Sequence, residues 1–366
     1  MPVTTVSADR FSCPGCGGEL LYDPDSQKML CTHCGSRQPI ASERIEAPEY
    51  GYDPSTDSYT APDWSTQSSH TLSCTGCGAQ IVLPPNAMTA VCPFCGSHYV
   101  RDCEGSTTGI LPETLSPFRI SRARAAEAFR AWMKKRFWAP KAFRESDRRT
   151  AELQGVYIPF WTFDAALNSR YSGQGGRDRT VTHTRTNDKG ETETYTTTET
   201  DWYSISGSET LSFDDIKACA SSKLDRRLLN GLGAFSLKYL QRYTPEYLAG
   251  FVAERYDIGV GEAWQTTSRT MEQQMEAHVE SCEGYDHYRF MQYDHRFADI
   301  RFKHILLPVW MSSQTYKNKV YPFLLNGETG MISGRSPVSV PKVLLTVALS
   351  VLGLALLCLL IAYLCH

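Results

Sequence analysis

The sequence predicts an α+β protein with two small N-terminal four-cysteine zinc ribbons, a strand-rich α+β domain and one C-terminal transmembrane helix. Three observations carry that prediction. Eight of the 13 cysteines fall into two sets with one spacing, C-x2-C-x14-C-x2-C, and the second set repeats the first 61 residues on. Residues 155–334 hold runs of aromatic and β-branched residues with helical segments grouped among them. Residues 343–365 form 23 positions without a charge. The bulk properties agree, since 366 residues give room for about two to three domains. A hydrophobic fraction of 42% excludes a wholly disordered chain, and 37 basic against 40 acidic residues exclude a globally basic nucleic-acid coat protein.

Met1 to Arg10 lacks an apolar run, so nothing there reads as a secretory signal. Residues 8–45 are the first ribbon, with Cys13, Cys16, Cys31 and Cys34 as ligands. Residues 71–104 are the second, with Cys74, Cys77, Cys92 and Cys95. Two residues between cysteines let both thiolates of one turn face a single ion, at metal–sulfur distances of about 2.3 Å. The glycine after each second cysteine can take a positive φ and bring backbone amides toward the sulfurs. Between the paired cysteines, Glu19–Tyr22 and Gln27–Leu30 flank turn residues, and Gln80–Leu83 precedes Pro84-Pro85-Asn86, so each unit is a hairpin with one knuckle per end. A unit of about 30 residues closes no hydrophobic core of its own, which makes metal binding its folding energy. Zinc suits four thiolates in a tetrahedron; iron fits the same donors, and a cytoplasmic setting argues against disulfides. With every position filled by protein, both sites are expected to be structural, giving two Zn2+ per chain. Cys103, Cys219 and Cys282 are expected to be ordinary buried thiols.

Residues 46–70, rich in Pro, Ser, Thr and Tyr, read as a linker. Through residue 105 there are five basic and twelve acidic residues, and thiolate-bound zinc adds further negative charge. Such a surface repels phosphate, so the ribbons point to protein contacts rather than nucleic acid. The basic charge lies in the next segment, 105–154. Ser121 is the expected N-cap of a helix running to about Lys135, with Ala125, Ala128, Phe129 and Trp132 as its apolar stripe. A solvated helix docked on the following domain is the plainest reading; anionic lipid and nucleic acid are the alternatives.

In residues 155–334, Val156–Trp161 and Ile305–Trp310 are similar apolar runs with an internal proline, suggesting edge strands or bulges and two related halves. Thr180–Thr200 alternates threonine with charge around Asn187-Asp-Lys-Gly190, a hairpin with no apolar face that projects from the body. Helices are expected at Ser212–Ser222, Pro245–Tyr256 and Gly261–Ser281, and late strands at Tyr288–Tyr293, Ala298–Ser313 and Lys319–Leu325. The chain contains no P-loop, no H-E-x-x-H and no G-x-S-x-G, and catalytic residues are therefore not assigned. Tyr285-Asp-His287 and Tyr293-Asp-His295 are too far apart along one strand to share an ion, and read as exposed strand residues.

Residues 335–342 are juxtamembrane, and the 23 residues that follow make a helix of about 35 Å, enough to cross a hydrocarbon core of about 30 Å. Arg335 and Lys342 precede it and only His366 follows, so membrane lipid surrounds residues 343–365 and residues 1–342 are expected in the cytoplasm of a single-pass, tail-anchored protein of the cell membrane.

Several stretches resemble a bacterial family of TFIIB-type zinc-ribbon-containing membrane proteins. They include Pro117-Phe118 with Trp138-Ala-Pro140, Gly155–Trp161, Gly175-Gly-Arg-Asp-Arg179, Ser212-Phe-Asp-Asp215, Tyr247–Phe251 with Glu254-Arg-Tyr256, Leu307–Trp310 and Asn326–Gly330. Similar sequences are sometimes named after the primosomal helicase on the ribbons alone. The resemblance implies a membrane scaffold in envelope stress, encoded beside flotillin-like SPFH-domain and phage-shock-type proteins, and it brings no catalytic residues. The leading expectation is a non-enzymatic adaptor that recruits proteins to a membrane. The alternative is a nucleic-acid-binding accessory of replication or transcription. A third class, an enzyme acting at the Pro-x-Trp strands, rests on aromatic residues alone.

Overall fold

The computed structural model describes residues 11–41, 47–60, 71–74, 77–82, 92, 94, 100–102, 110, 112–144, 153–186, 192–317 and 319–364. The chain opens on a hairpin of β1 (Leu20–Asp23) and β2 (Lys28–Cys31), with β3 (Arg37–Gln38) beside β2. Asp23 closes the turn by accepting hydrogen bonds from the Ser26 amide and hydroxyl. A second hairpin, β4 (Tyr50–Asp53) and β5 (Ser58–Tyr59), occupies part of the expected linker and adds to the main sheet. That expectation is corrected. Tyr52 is buried against Trp264 and half-buried Tyr50 packs on Phe302, so two aromatic residues without periodicity supply the contacts a strand needs.

The second cysteine unit contributes β6 (Thr71–Cys74), β7 (Gln80–Val82) and β8 (Val100–Asp102); the expected turn at Pro84-Pro85-Asn86 lies outside the described residues. Then come β9 (Thr114–Leu115), α1 (Arg122–Lys134) and the short α2 (Lys141–Arg144). Ser121 stands at the N-cap of α1 in extended conformation, and Ala125, Ala126, Phe129 and Met133 form its buried stripe, close to the expected one.

Two long strands, β10 (Gln154–Thr186) and β11 (Thr192–Cys219), follow. Next are α3 (Arg226–Asn230), β12 (Gln241–Arg242), a 3-10 turn at Pro245–Leu248 and β13 (Val252–Glu254). The chain continues through α4 (Val260–Glu283), the long β14 (His287–Tyr316), β15 (Lys319–Asn326), β16 (Ile332–Gly334) and α5 (Val340–Leu364). The large sheet runs β12-β9-β14-β10-β13-β7-β6-β8, with β11 also on β10 and β15 and β4 also on β14.

Two helix expectations are corrected. Of Ser212–Ser222, residues 212–219 are the end of β11 and residues 220–222 leave the strand, and a register shift opposite Asp164 breaks the alternation and hides the strand period. Pro245–Tyr256 splits into the 3-10 turn and β13, because Gly250 takes φ 89° and stops a helix. The helix expected at Gly261–Ser281 is present as α4, and the three late strands join into β14 and β15.

The proline-containing runs are also corrected, being central rather than marginal. They pair with each other antiparallel, Val156 opposite Val309 and Pro159 opposite Leu306. Each proline stands where one neighbouring strand gives way to another. Parallel β13 ends beside Tyr157 and antiparallel β11 begins at Phe160; parallel β9 ends beside Leu306 and antiparallel β15 begins at Val309. A missing amide therefore costs no ladder bond at either place. Two residues past each proline, Trp161 and Trp310 are buried and donate their indole N–H to Ile258 O and Ile120 O, each at 2.8 Å. The repeated run marks an approximate two-fold relation at the centre of the sheet.

From that centre β10, β11 and β14 leave as one ribbon. The 33 residues of β10 reach about 110 Å. Helix α4 lies along the lower part, burying Trp264, Met271, Met275 and Val279 against Trp161, Phe163, Leu167 and Tyr171. Its 24 residues span about 36 Å, and its end is tied where Tyr171 donates to Glu283 at 2.6 Å. Beyond Gly176 only β10 and β11 remain paired, out to Thr186 and Thr192. The expected hairpin thus projects as an arm, and its turn at 187–191 lies outside the described residues.

Candidate metal centres and the apolar helix

Hydrogen bonds from backbone set the first cysteine cluster. Cys13 and Cys31 begin tight turns in which the Gly17 and Gly35 amides donate back to their carbonyls, and both glycines take positive φ, 71° and 72°. The four sulfurs of Cys13, Cys16, Cys31 and Cys34 lie within 4.8 Å of one another. Cys13 Sγ is 3.6 Å from Cys34 Sγ and Cys16 Sγ is 3.5 Å from Cys31 Sγ. A tetrahedron with metal–sulfur bonds of about 2.3 Å has edges of about 3.8 Å, so the donor set fits one tetrahedral ion. The Ser36 hydroxyl, at 3.1 Å, leads in lowering the Cys13 thiol to about 6. Cys16 goes up to about 12 even though the Gly18 amide lowers it, because Cys31 and Cys34 favour its protonated form. Sulfurs this close cannot all ionise alone; a bound cation would let them.

In the second unit Cys74, Cys77 and Cys92 come together in the same manner, and Gly78 repeats the φ of 72°. Cys95 lies outside the described residues. Both clusters could hold a metal ion. Two of the remaining thiols differ from expectation, Cys219 being half-buried and Cys282 exposed on the last turn of α4; Cys103 lies outside the described residues.

The first hairpin does not stand alone. Tyr22 is 4% exposed, packs edge-on to Tyr247 at 5.1 Å and donates to Phe118 O at 2.9 Å. Cys13, Leu20, Tyr22, Met29 and Cys31 share one apolar cluster with Phe118, Tyr157, Phe251 and Trp310 of the body. The second unit is attached by backbone, since β7 pairs with β13 at Val82 and Ala253. Both cysteine units therefore grip the same segment, Pro245–Glu254.

A further acidic group, Asp164, Asp214 and Asp215, gathers at the register shift in the long ribbon. A lysine already serves it. Lys303 Nζ lies 2.8 Å from Asp215, 3.1 Å from Glu49 and 3.6 Å from Asp164. The two Tyr-Asp-His runs are not alike: His287 is exposed and pairs with Asp178 at 3.0 Å, whereas His295 is half-buried, stacked on Tyr293 beneath α4. Trp161 and Trp310 are committed to the core.

Helix α5 begins three residues before the expected boundary and has a window, Val340–Leu359, long and apolar enough to cross a membrane. None of that window is buried. Its first turn is fastened to the turn between α1 and α2, where Lys342 Nζ donates to Phe137 O at 3.1 Å and Ala139 O at 2.8 Å, and the Ser339 amide donates to Trp138 O at 2.8 Å. Sequence reasoning missed this joint, because nothing in the local pattern links residues two hundred positions apart.

No known family profile matches the chain, and no solved structure matches it. It is similar to a Bacillus subtilis (strain 168) protein described as uncharacterized protein YdjG, 28% identical over 334 residues, which is 91% of this chain and 91% of that one.

Proposed function

We propose that this is a non-enzymatic scaffold of the cell membrane, held by α5 as a single span with residues 1–342 in the cytoplasm. Both cysteine clusters are structural zinc ribbons, with Cys95 completing the second. The observation that carries the reading is the arm. From Arg177 to Asp201, β10 and β11 form ten paired positions standing about 34 Å clear of the three-stranded ribbon, almost wholly exposed on both faces. An isolated two-stranded hairpin is marginal in water. Here it is braced by Arg179 on Glu199 and Asp201 at 2.8 and 3.0 Å, His183 stacked on Tyr195, and Arg289 over Trp202 at 3.8 Å. A rigid polar strand pair held away from an anchored body suits capture of a protein. The resemblance to TFIIB-type zinc-ribbon membrane proteins supports partners of the SPFH-domain or phage-shock type. The acid excess of the ribbons counts against nucleic acid.

Photo-crosslinking in cells tests this. A crosslinking residue at exposed Tyr195 or Tyr203 should give a discrete protein adduct, and one at exposed Arg269 on α4 should not. If Tyr195 on the arm and Tyr203 at its base both yield no adduct above the control, the scaffold reading is removed. Metal analysis of the full chain should return two zinc per chain; zero or one would remove the ribbon reading.

A further inference from the structure

Between Arg119 and Arg144 there are nine basic residues and one acid, Glu127. At the end of α1 the charge meets two uncovered aromatic rings: Lys134, Lys135 and Arg136 are exposed, and Phe137 and Trp138 follow at 59% and 42% exposure. Lys141 is exposed just beyond. Apolar rings left in water beside a cluster of like charges are costly unless something covers them.

The position of this turn relative to α5 says what covers it. The 25 residues of α5 are about 37 Å long, against a hydrocarbon core of about 30 Å. The excess, close to five residues, leaves Lys342 in the headgroup layer at the start of the span. The Phe137 and Ala139 carbonyls lie 3.1 and 2.8 Å from the Lys342 ammonium, so the turn must lie in that layer too. Trp132 packs against Gly334 in β16, just before α5, which fixes α1 to the same end of the molecule.

We propose that the α1–α2 turn is a membrane-contact surface. Phe137 and Trp138 enter the interface as aromatic anchors, and Lys134, Lys135, Arg136 and Lys141 face anionic lipid headgroups. The inference rests on the spanning reading of α5. Its consequence is orientation: with the helix and this turn both in the leaflet, the body cannot swivel about its anchor.

The test uses the full chain in phosphatidylcholine vesicles, with and without phosphatidylglycerol, and acyl chains brominated near the headgroup or deep in the core. The Trp138 signal is the difference between wild type and Trp138→Phe, a conservative change at an exposed ring. Shallow bromines should quench that difference more than deep ones, more strongly in the anionic vesicles, and the anionic increment should vanish in a Lys134→Glu/Lys135→Glu/Arg136→Glu variant. Trp138 emission that ignores brominated lipid overturns the proposal. If that emission is also shielded from aqueous acrylamide, the cover is protein, a second copy or a partner. Carbonate extraction of the same vesicles separates the two claims: a chain that resists carbonate while Trp138 stays unquenched loses only the contact surface, whereas a chain that carbonate releases loses the span and the surface together.

Discussion

Lys303 is the residue on which the long ribbon turns. It is 7% exposed, yet its ammonium is held above its ordinary range: burial works against the charge, and Asp215, Asp164 and Glu49 outweigh it. The same burial pushes Asp164 up to about 6, against the pull of the Asp215 amide and Lys303. Removing one partner from such a group leaves buried charge uncompensated, at a cost of about 3–5 kcal/mol. Lys303→Met should therefore lower the unfolding free energy from chemical denaturation by that order, and a change under about 1 kcal/mol would show that water already screens the carboxylates. Glu254 is a second buried case with the opposite sense. It is 3% exposed, accepts a hydrogen bond from Ser221 at 2.7 Å through Oε1, and burial pushes it up to about 8. A carboxyl that binds its proton more tightly when folded favours folding at low pH. That contribution is complete below the ordinary value of 4.5 and is lost as pH rises through about 8. Melting temperature should fall from about pH 5 to about pH 9 in the wild type, and fall less in Glu254→Gln, which keeps the shape and cannot ionise. Parallel pH profiles for the two would show that Glu254 is not buried in its charged form.

The elements divide by how local their cause is. The Cys hairpin β1–β2, the helices α1 and α4 and the apolar α5 were legible because turn residues, an N-cap, a helical stripe or an uncharged run each lie within one segment. The four sulfurs of the first centre were legible for the same reason, from spacing alone. What stayed hidden depends on distant partners. The end of β11 has a bulge at Asp214 and Asp215 that only β10 explains, β4 needs the edge of β14, and Pro159 and Pro308 sit in mid-sheet because neighbouring strands change beside them. The arm is the extreme case, a strand pair whose threonines point to water on both faces. Its braces are exposed ion pairs and ring contacts, each worth under about 1 kcal/mol. Replacing residues 179–199 with a two-residue Asn-Gly turn, which keeps Asp178 opposite Thr200, should leave the melting temperature of the full chain in detergent within a few degrees of wild type while abolishing the Tyr203 crosslink. A large loss of stability would mean that the arm is part of the core rather than a projection from it.

At the scale of the whole molecule the two cysteine units act as clamps on one segment. The first presses Tyr22 onto Tyr247 and Phe251, with the Tyr22 amide bonded to Ala249 O at 3.0 Å. The second extends β13 through β7. Between them Pro245–Glu254 carries Phe251, stacked 4.3 Å from Phe118, and Phe118 in turn packs edge-on to Trp310 in the sheet at 5.1 Å. If the first centre holds zinc as proposed, losing that ion should reach past the hairpin. Without a cation the four sulfurs must share protons, the Cys13 and Cys31 turns loosen, and Tyr22 loses its seat on the body. Hydrogen exchange of the full chain in detergent, measured before and after chelation, should show protection lost in residues 11–38 and also across 245–254. The amides of α4 and of the ribbon from Trp161 outward should stay protected, because their cluster contains no residue of the first hairpin. Exchange confined to 11–38 would mean that the body holds Pro245–Glu254 unaided and that the hairpin is a passenger. Exchange spreading into α4 would mean that the two apolar clusters fold as one unit rather than two.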